Sequence, residues 1–216
     1  MDINRPTIKI AGAALLAPLT VILQSLPPIF ITPWMLRIDL VAVPWLICWI
    51  IFGLKPALLS LLISAPLIGF VGPFAGGAIG AIMKPLASVW MFLIPAFFAW
   101  KIGGTKQLLE NKRLLVVAGV IALTIRAIVT VVVNFYFALP FFYNMTPDVI
   151  VSMFSEMGNI SFFRTSLGLI GLGAYIGEVA FWNIIQGIID LTASLILGLI
   201  IFRRIPALAP KQKDKK

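Results

Sequence analysis

The sequence predicts an all-α membrane protein, a bundle of about six transmembrane helices with both termini in the cytoplasm. Three observations carry that expectation: 61% of the 216 residues are hydrophobic, only 12% are charged, and the mean hydropathy is +1.06. A soluble domain keeps about a quarter of its residues charged, so this surface is too poor in charge for water and its solvent is largely lipid. Crossing a bilayer takes about 20 mainly apolar residues per helix, and most of the chain divides into such stretches. They leave no room for a separate soluble domain, so residues 1–216 read as one transmembrane domain.

The spans follow in order. The first covers about 7–26 and ends at Pro27-Pro28, which cannot continue a helical ladder. Residues 1–9 are short and polar, and no small-residue cleavage pattern follows the first apolar run, so it reads as a retained helix. The second span covers 38–52 and closes at Gly53, and a Lys55-Pro56 turn opens the third, 57–72. The fourth covers 76–100, and a polar stretch from Lys101 to Lys112 follows it. The fifth, 114–139, stops at Pro140, and the sixth covers 178–202. Between them lies an outer loop, 140–177. Its Met145–Met157 part suits a short interfacial helix with Thr146 as cap and Pro147 in first position. Its glycine-rich run Leu167–Gly177 reads as a segment that enters the membrane surface or packs as a lid.

Six spans put both termini on one side, and the positive-inside rule selects it. With the termini inside, 13 of the basic residues are cytoplasmic, and the basic tail 203–216 faces anionic lipid headgroups. The outer side keeps only Arg37 and Arg164, beside Asp39, Asp148, Glu156 and Glu178. The net charge of +9 thus sits in connections and tails, a distribution that speaks for a bilayer rather than nucleic acid. The chain has no histidine, and Cys48 is its only cysteine. That removes the usual zinc sites, histidine-based triads and disulfides, and no metal or cofactor is expected. Cys48 reads as a small buried residue.

Ionisable groups inside spans cost about 2.5–3.5 kcal/mol each on insertion scales, so they face the protein interior or a cavity. Here they are Lys84, Arg126 and Asp190. Counted from the outer helix ends, Lys84, Asn134, Asn183 and Gln186 share one outer layer. They suit the floor and wall of a site for a ligand entering from outside. Arg126 and Asp190 lie deeper, on neighbouring helices, and are expected to form an ion pair near the midplane. Arg126, Thr130 and Asn134 recur every four residues, hence on one face; Asn183, Gly187, Asp190 and Ser194 trace a similar face on the last helix. Such stripes serve either as interhelical glue or as the wall of a site. Aromatic residues thicken the same zone, among them Tyr136, Trp182 and Trp34. They fit an interfacial belt, or the walls of a pocket for a planar heterocycle. Ala13 and Ala17 form a small-xxx-small pair that permits close helix approach, within the chain or to a partner.

Several stretches together resemble the S components of energy-coupling-factor (ECF) transporters, the riboflavin-type group in particular. They are Ile38-Asp39 with Pro44 and the Ile50–Gly53 helix end, Gly80–Lys84, Asn134–Pro140, and Phe181–Gly187 opening the last helix. The resemblance covers nearly the whole chain in layout and is specific in helices five and six. It implies a non-enzymatic, multi-pass protein of a prokaryotic plasma membrane that binds a vitamin, riboflavin or a related flavin first among them, from outside. It also implies partners: a membrane T subunit carrying two cytoplasmic ATPases, on which the first helix docks through the alanine motif matched here by Ala13 and Ala17. The ligand contacts it implies map to Asn134, Asn183 and Gln186, and the residues themselves add Lys84, Tyr136 and Trp182. One departure is that the riboflavin type commonly has lysine where this chain has Gln186. Two other classes fit the hydropathy. A stand-alone secondary transporter usually has internal repeats, and no convincing one is visible here. A membrane-embedded enzyme usually uses histidine or paired intramembrane acids, which the chain lacks.

Overall fold

The computed structural model describes residues 5–32, 36–72, 77–156 and 167–208. Trp34, Gly76, Met157, Arg164 and the tail beyond residue 208 lie outside the described residues. Among the described residues, four helical stretches are long and apolar enough to cross a membrane: Pro6–Ser25, Gly77–Ile102, Lys112–Tyr143 and Gly171–Arg204. Two shorter apolar helices, Val43–Phe52 and Leu54–Ile68, accompany them.

Helix α1 (Pro6–Ser25) has Pro6 at its start, where the missing N–H would have no helical partner anyway. Leu26 is extended, and the chain then forms a small antiparallel hairpin of β1 (Phe30–Ile31) and β2 (Arg37–Ile38), pairing Phe30 with Ile38 and Ile31 with Arg37. Ile38 therefore belongs to a strand, and α2 (Val43–Phe52) begins five residues later than the hydrophobic pattern suggested. Only Gly53, at φ +94°, separates α2 from α3 (Leu54–Ile68). Lys55-Pro56 is thus no turn. It lies in the first turn of α3, where a proline removes no ladder bond.

Helices α4 (Gly77–Ser88) and α5 (Trp90–Ile102) form one apolar stretch interrupted at Val89. After the short α6 (Thr105–Glu110), Asn111 caps α7 (Lys112–Val133) by accepting the Leu114 N–H at 3.1 Å. Pro140 does not end this rod. It has no N–H, and its ring would strike the carbonyl four residues back. The helix answers by widening into a π turn, Asn134–Ala138, in which the Leu139 N–H bonds back to the Asn134 carbonyl. It then continues as α8 (Leu139–Tyr143).

Within the outer segment, Pro147 opens α9 (Pro147–Glu156), while the residues from Gly171 belong to α10 (Gly171–Arg204). The last helix therefore starts seven residues before the expected span, and the glycine-rich run is mostly helix rather than a lid. Tyr175 explains why. It is fully buried against Phe135 and Phe154, and its hydroxyl donates to the Val131 carbonyl at 2.6 Å. Tertiary packing there outweighs the roughly 1 kcal/mol that each helical glycine costs.

Helix α1 packs on α2 and α3, while α7 lies between α5 and α10. The main core gathers Ala13, Trp45, Leu46, Ala57, Phe92 and Ala122, and the Trp45 indole donates to the Ser64 hydroxyl at 2.9 Å. Leu16 of α1, together with Ile201 and Phe202 of α10, packs on the Val43–Ile47–Ile51 face of α2. The start of α1 and the end of α10 therefore share one end of the bundle. Cys48 is a buried free thiol, as expected from the sequence. At the opposite end α3 and α4 approach so closely that a Cβ on Gly69 would overlap the Gly77 carbonyl and Ala81. Backbone on both sides cannot yield cheaply, so Gly69→Ala is expected to destabilise the protein by about 1–3 kcal/mol, read as a lower melting temperature in detergent.

Candidate functional site

The end of the bundle away from the chain termini encloses a cavity of about 490 Å³. The hairpin, α1, α3, α4, the α7–α8 rod and α10 each contribute an edge. Gln24 comes from the end of α1, Arg37 from the hairpin, Ile68 from the end of α3, and Gly80 and Lys84 from α4. Arg126, Thr130, Asn134 and Leu139 come from the α7–α8 rod, and Val179, Asn183 and Gln186 from α10. The volume lies within the roughly 300–1,000 Å³ of small-molecule sites, and most of the wall is apolar with a few polar groups, as such sites require.

Helical periodicity builds the polar wall. Arg126, Thr130 and Asn134 stand four residues apart and climb about 12 Å of α7 on one face. Thr130 donates to the Arg126 carbonyl at 2.8 Å, and Asn134 Nδ2 donates to the Thr130 carbonyl at 2.7 Å. Asn183 does the same on α10, to the Val179 carbonyl at 2.8 Å. A side-chain amide has two N–H donors and one carbonyl acceptor. Each asparagine spends one donor on its own helix, which holds its rotamer and leaves further polar capacity beside the cavity.

Below this wall lies a charged network. Arg126 Nη1 donates to Asp190 Oδ2 at 3.0 Å, a pair almost wholly sealed from solvent, with Arg126 2% and Asp190 0% exposed. Asp190 Oδ1 accepts from Gln186 Nε2 at 2.8 Å. The same Gln186 amide clasps the backbone of Asp39, donating to its carbonyl at 2.7 Å and accepting its N–H at 2.9 Å. Asp39 in turn holds Lys84 Nζ at 2.5 Å, with Arg37 Nε 3.9 Å from the same oxygen. Its other oxygen accepts the Val41 N–H at 3.1 Å. One continuous chain of bonds therefore joins α4, the hairpin exit, α10 and α7.

Of the residues singled out from sequence, Lys84, Asn134, Asn183 and Gln186 line this one cavity. Gln186 is heavily committed to Asp39 and Asp190, so it acts foremost as a connector within the floor. Tyr136 and Trp182 do not line the cavity. Tyr136 is 70% exposed, because a residue two positions from Asn134 points to the other side of the helix. Trp182 lies against Phe30 at 5.1 Å between ring centroids and donates to Glu178 Oε2 at 3.0 Å. Ala13 and Ala17 are 0% and 1% exposed, turned toward α2 and α3, so their small size serves packing within this chain. Asp39 is the group that sequence reasoning left among the outer-loop charges. It is buried, and its partner Gln186 lies 147 residues away, beyond the reach of any local pattern.

Both network carboxylates are engaged with cations, which suits a binding site better than proton abstraction. No protein-family model and no curated protein matches the chain. Among solved structures, the chain is similar to the S component of a bacterial ECF transporter, with a TM-score of 0.59 and 20% sequence identity. The match covers 94% of this chain and 97% of that one. At this identity the likeness is one of fold: the chain has the architecture of an ECF S component over nearly its whole length.

Proposed function

We propose that the protein is the substrate-binding subunit of an ATP-driven micronutrient importer, an S component that captures a vitamin from outside the cell. The observation that carries this reading is that polar residues from three separate helices, Lys84, Asn134, Asn183 and Gln186, line one cavity of ligand size. The shared fold supports it. In this reading the chain ends and their basic residues face the cytoplasm of a prokaryote, and the cavity opens outward. A T subunit with two ATPases supplies the energy, and the chain itself hydrolyses nothing. Docking by α1 falls to its lipid-facing side, which carries Ala11, Leu15, Pro18 and Ile22, since Ala13 and Ala17 face inward. Among vitamins the flavins lead, on the resemblance of the Asn134 and Asn183 motifs.

The test is to identify the small molecule that co-purifies with the detergent-solubilised protein, by visible absorbance and mass spectrometry. A stoichiometric vitamin is the expected result, and a yellow sample assigns it to the flavins. Uptake into cells that persists after deletion of every T subunit and its ATPases would overturn the S-component reading in favour of a stand-alone transporter.

A further inference from the structure

We propose that the cavity takes a small molecule bearing an anionic group, a carboxylate or a phosphate, received by Arg126 and Lys84. The inference rests on the reading of the cavity as a vitamin site and narrows the ligand class. The charged side chains on the cavity wall are Arg37, Lys84 and Arg126, all cationic, and no wall residue among those described carries a carboxylate. Asp39 and Asp190 stand behind that wall, each holding its cations in place. Lys84 and Arg37 lean on the same carboxylate. The stretches 33–35, 73–76 and 157–166 contain no Asp or Glu.

Arg126 carries the second observation. Its Nη1 is bonded to Asp190, yet its Nε–H is buried without a hydrogen-bond partner in a side chain that lines the cavity. A guanidinium offers five donors in a planar fork, a geometry matched to carboxylate and phosphate oxygens. A buried donor left unsatisfied is unfavourable, and an anion accepting from the same guanidinium forms the strong, charge-assisted kind of bond. The low solvent exposure of Arg126 strengthens that attraction further. The apolar wall, with Ile31, Leu36, Ile68, Met83 and Val179, suits a compact hydrophobic body attached to the anionic group. Thr130, Asn134 and Asn183 supply neutral polar contacts above it.

Matched pairs that differ by one ionised group test this on the solubilised wild-type protein. Flavin mononucleotide against riboflavin, nicotinate against nicotinamide, and pantothenate against pantothenol are titrated at constant ionic strength, with inorganic phosphate as a bare anion. Binding is read as a rise in melting temperature and by calorimetry. At least one anionic member is expected to bind ten or more times tighter than its neutral partner, and Lys84→Met to reduce that preference tenfold or more. Neutral members binding as tightly as their anionic partners in every pair, or no binding by any anion, overturns the inference. So does a Lys84→Met variant that weakens both members of a pair equally. If that variant fails to fold, the wild-type pairs decide alone. Binding of a neutral vitamin only would discard the anion and keep the vitamin site. Stabilisation by inorganic phosphate with no vitamin bound would do the reverse.

Discussion

Asp190→Asn is expected to lower the melting temperature of the detergent-solubilised protein by the equivalent of about 3–5 kcal/mol, the range measured when one partner of a buried ion pair is removed. The reason is countable. Asp190 offers one oxygen to Arg126 and the other to Gln186, at 3.0 and 2.8 Å. Asparagine has one oxygen and one N–H₂ group, so whichever way it turns, one of those donors faces another donor. The Arg126 guanidinium also loses its counter-charge in a site sealed from water. The damage spreads, because Gln186 links this pair to the Asp39 backbone and so to Lys84 on α4. The double replacement Arg126→Leu with Asp190→Leu removes both charges together. It is expected to be less destabilising than Asp190→Asn, since replacing a buried pair by apolar groups is often close to neutral. An Asp190→Asn protein that melts with the wild type would show that the pair contributes nothing to the folded state. Thermal unfolding followed by intrinsic fluorescence, with six tryptophans as reporters, measures all three.

How much of this was legible in the sequence depended on the range over which each feature is encoded. Hydropathy alone located the long apolar helices, because lipid imposes a length and a composition on each crossing. Four-residue spacing located the inward faces of α7 and α10, since that period is a property of the helix itself. What escaped was set by contacts. Pro140 reads as a stop, yet the π turn at Asn134–Ala138 absorbs it and the rod continues to Tyr143. The glycine-rich run Leu167–Gly177 reads as a membrane-surface segment or a lid, yet buried Tyr175 within it anchors a helix to α7 and α9. Tyr136 and Trp182 have the chemistry and depth of a ligand wall, but helix phase turns both away from the cavity. Asp39 sits in an unremarkable loop position, and its role exists only because α10 brings Gln186 to it.

Asn134→Leu is expected to weaken binding of the co-purifying ligand by tenfold or more, about 1.4 kcal/mol for each factor of ten, with little change in the melting temperature of the ligand-free protein. Both halves follow from where the Asn134 amide points its bonds. Its hydrogen bond runs within its own helix, to the Thr130 carbonyl, so leucine breaks no bond between helices. That carbonyl also accepts within the helix, from the backbone N–H of Asn134 itself. Leucine has the same branching and the same number of side-chain heavy atoms, is somewhat bulkier, and adds apolar surface to a wall that already holds Ala138 and Leu139. A ligand that spends a polar group on Asn134 would then face that surface with the group unsatisfied, a loss larger than the net value of an ordinary hydrogen bond. Tyr136→Leu, on the opposite side of the same turn, is the internal control and is expected to leave affinity unchanged. Calorimetric titration of the two variants separates the possibilities: loss in the first alone places the ligand on the inner face of α7. Equal affinity in both would remove Asn134 from the site and leave the stripe it belongs to as helix packing.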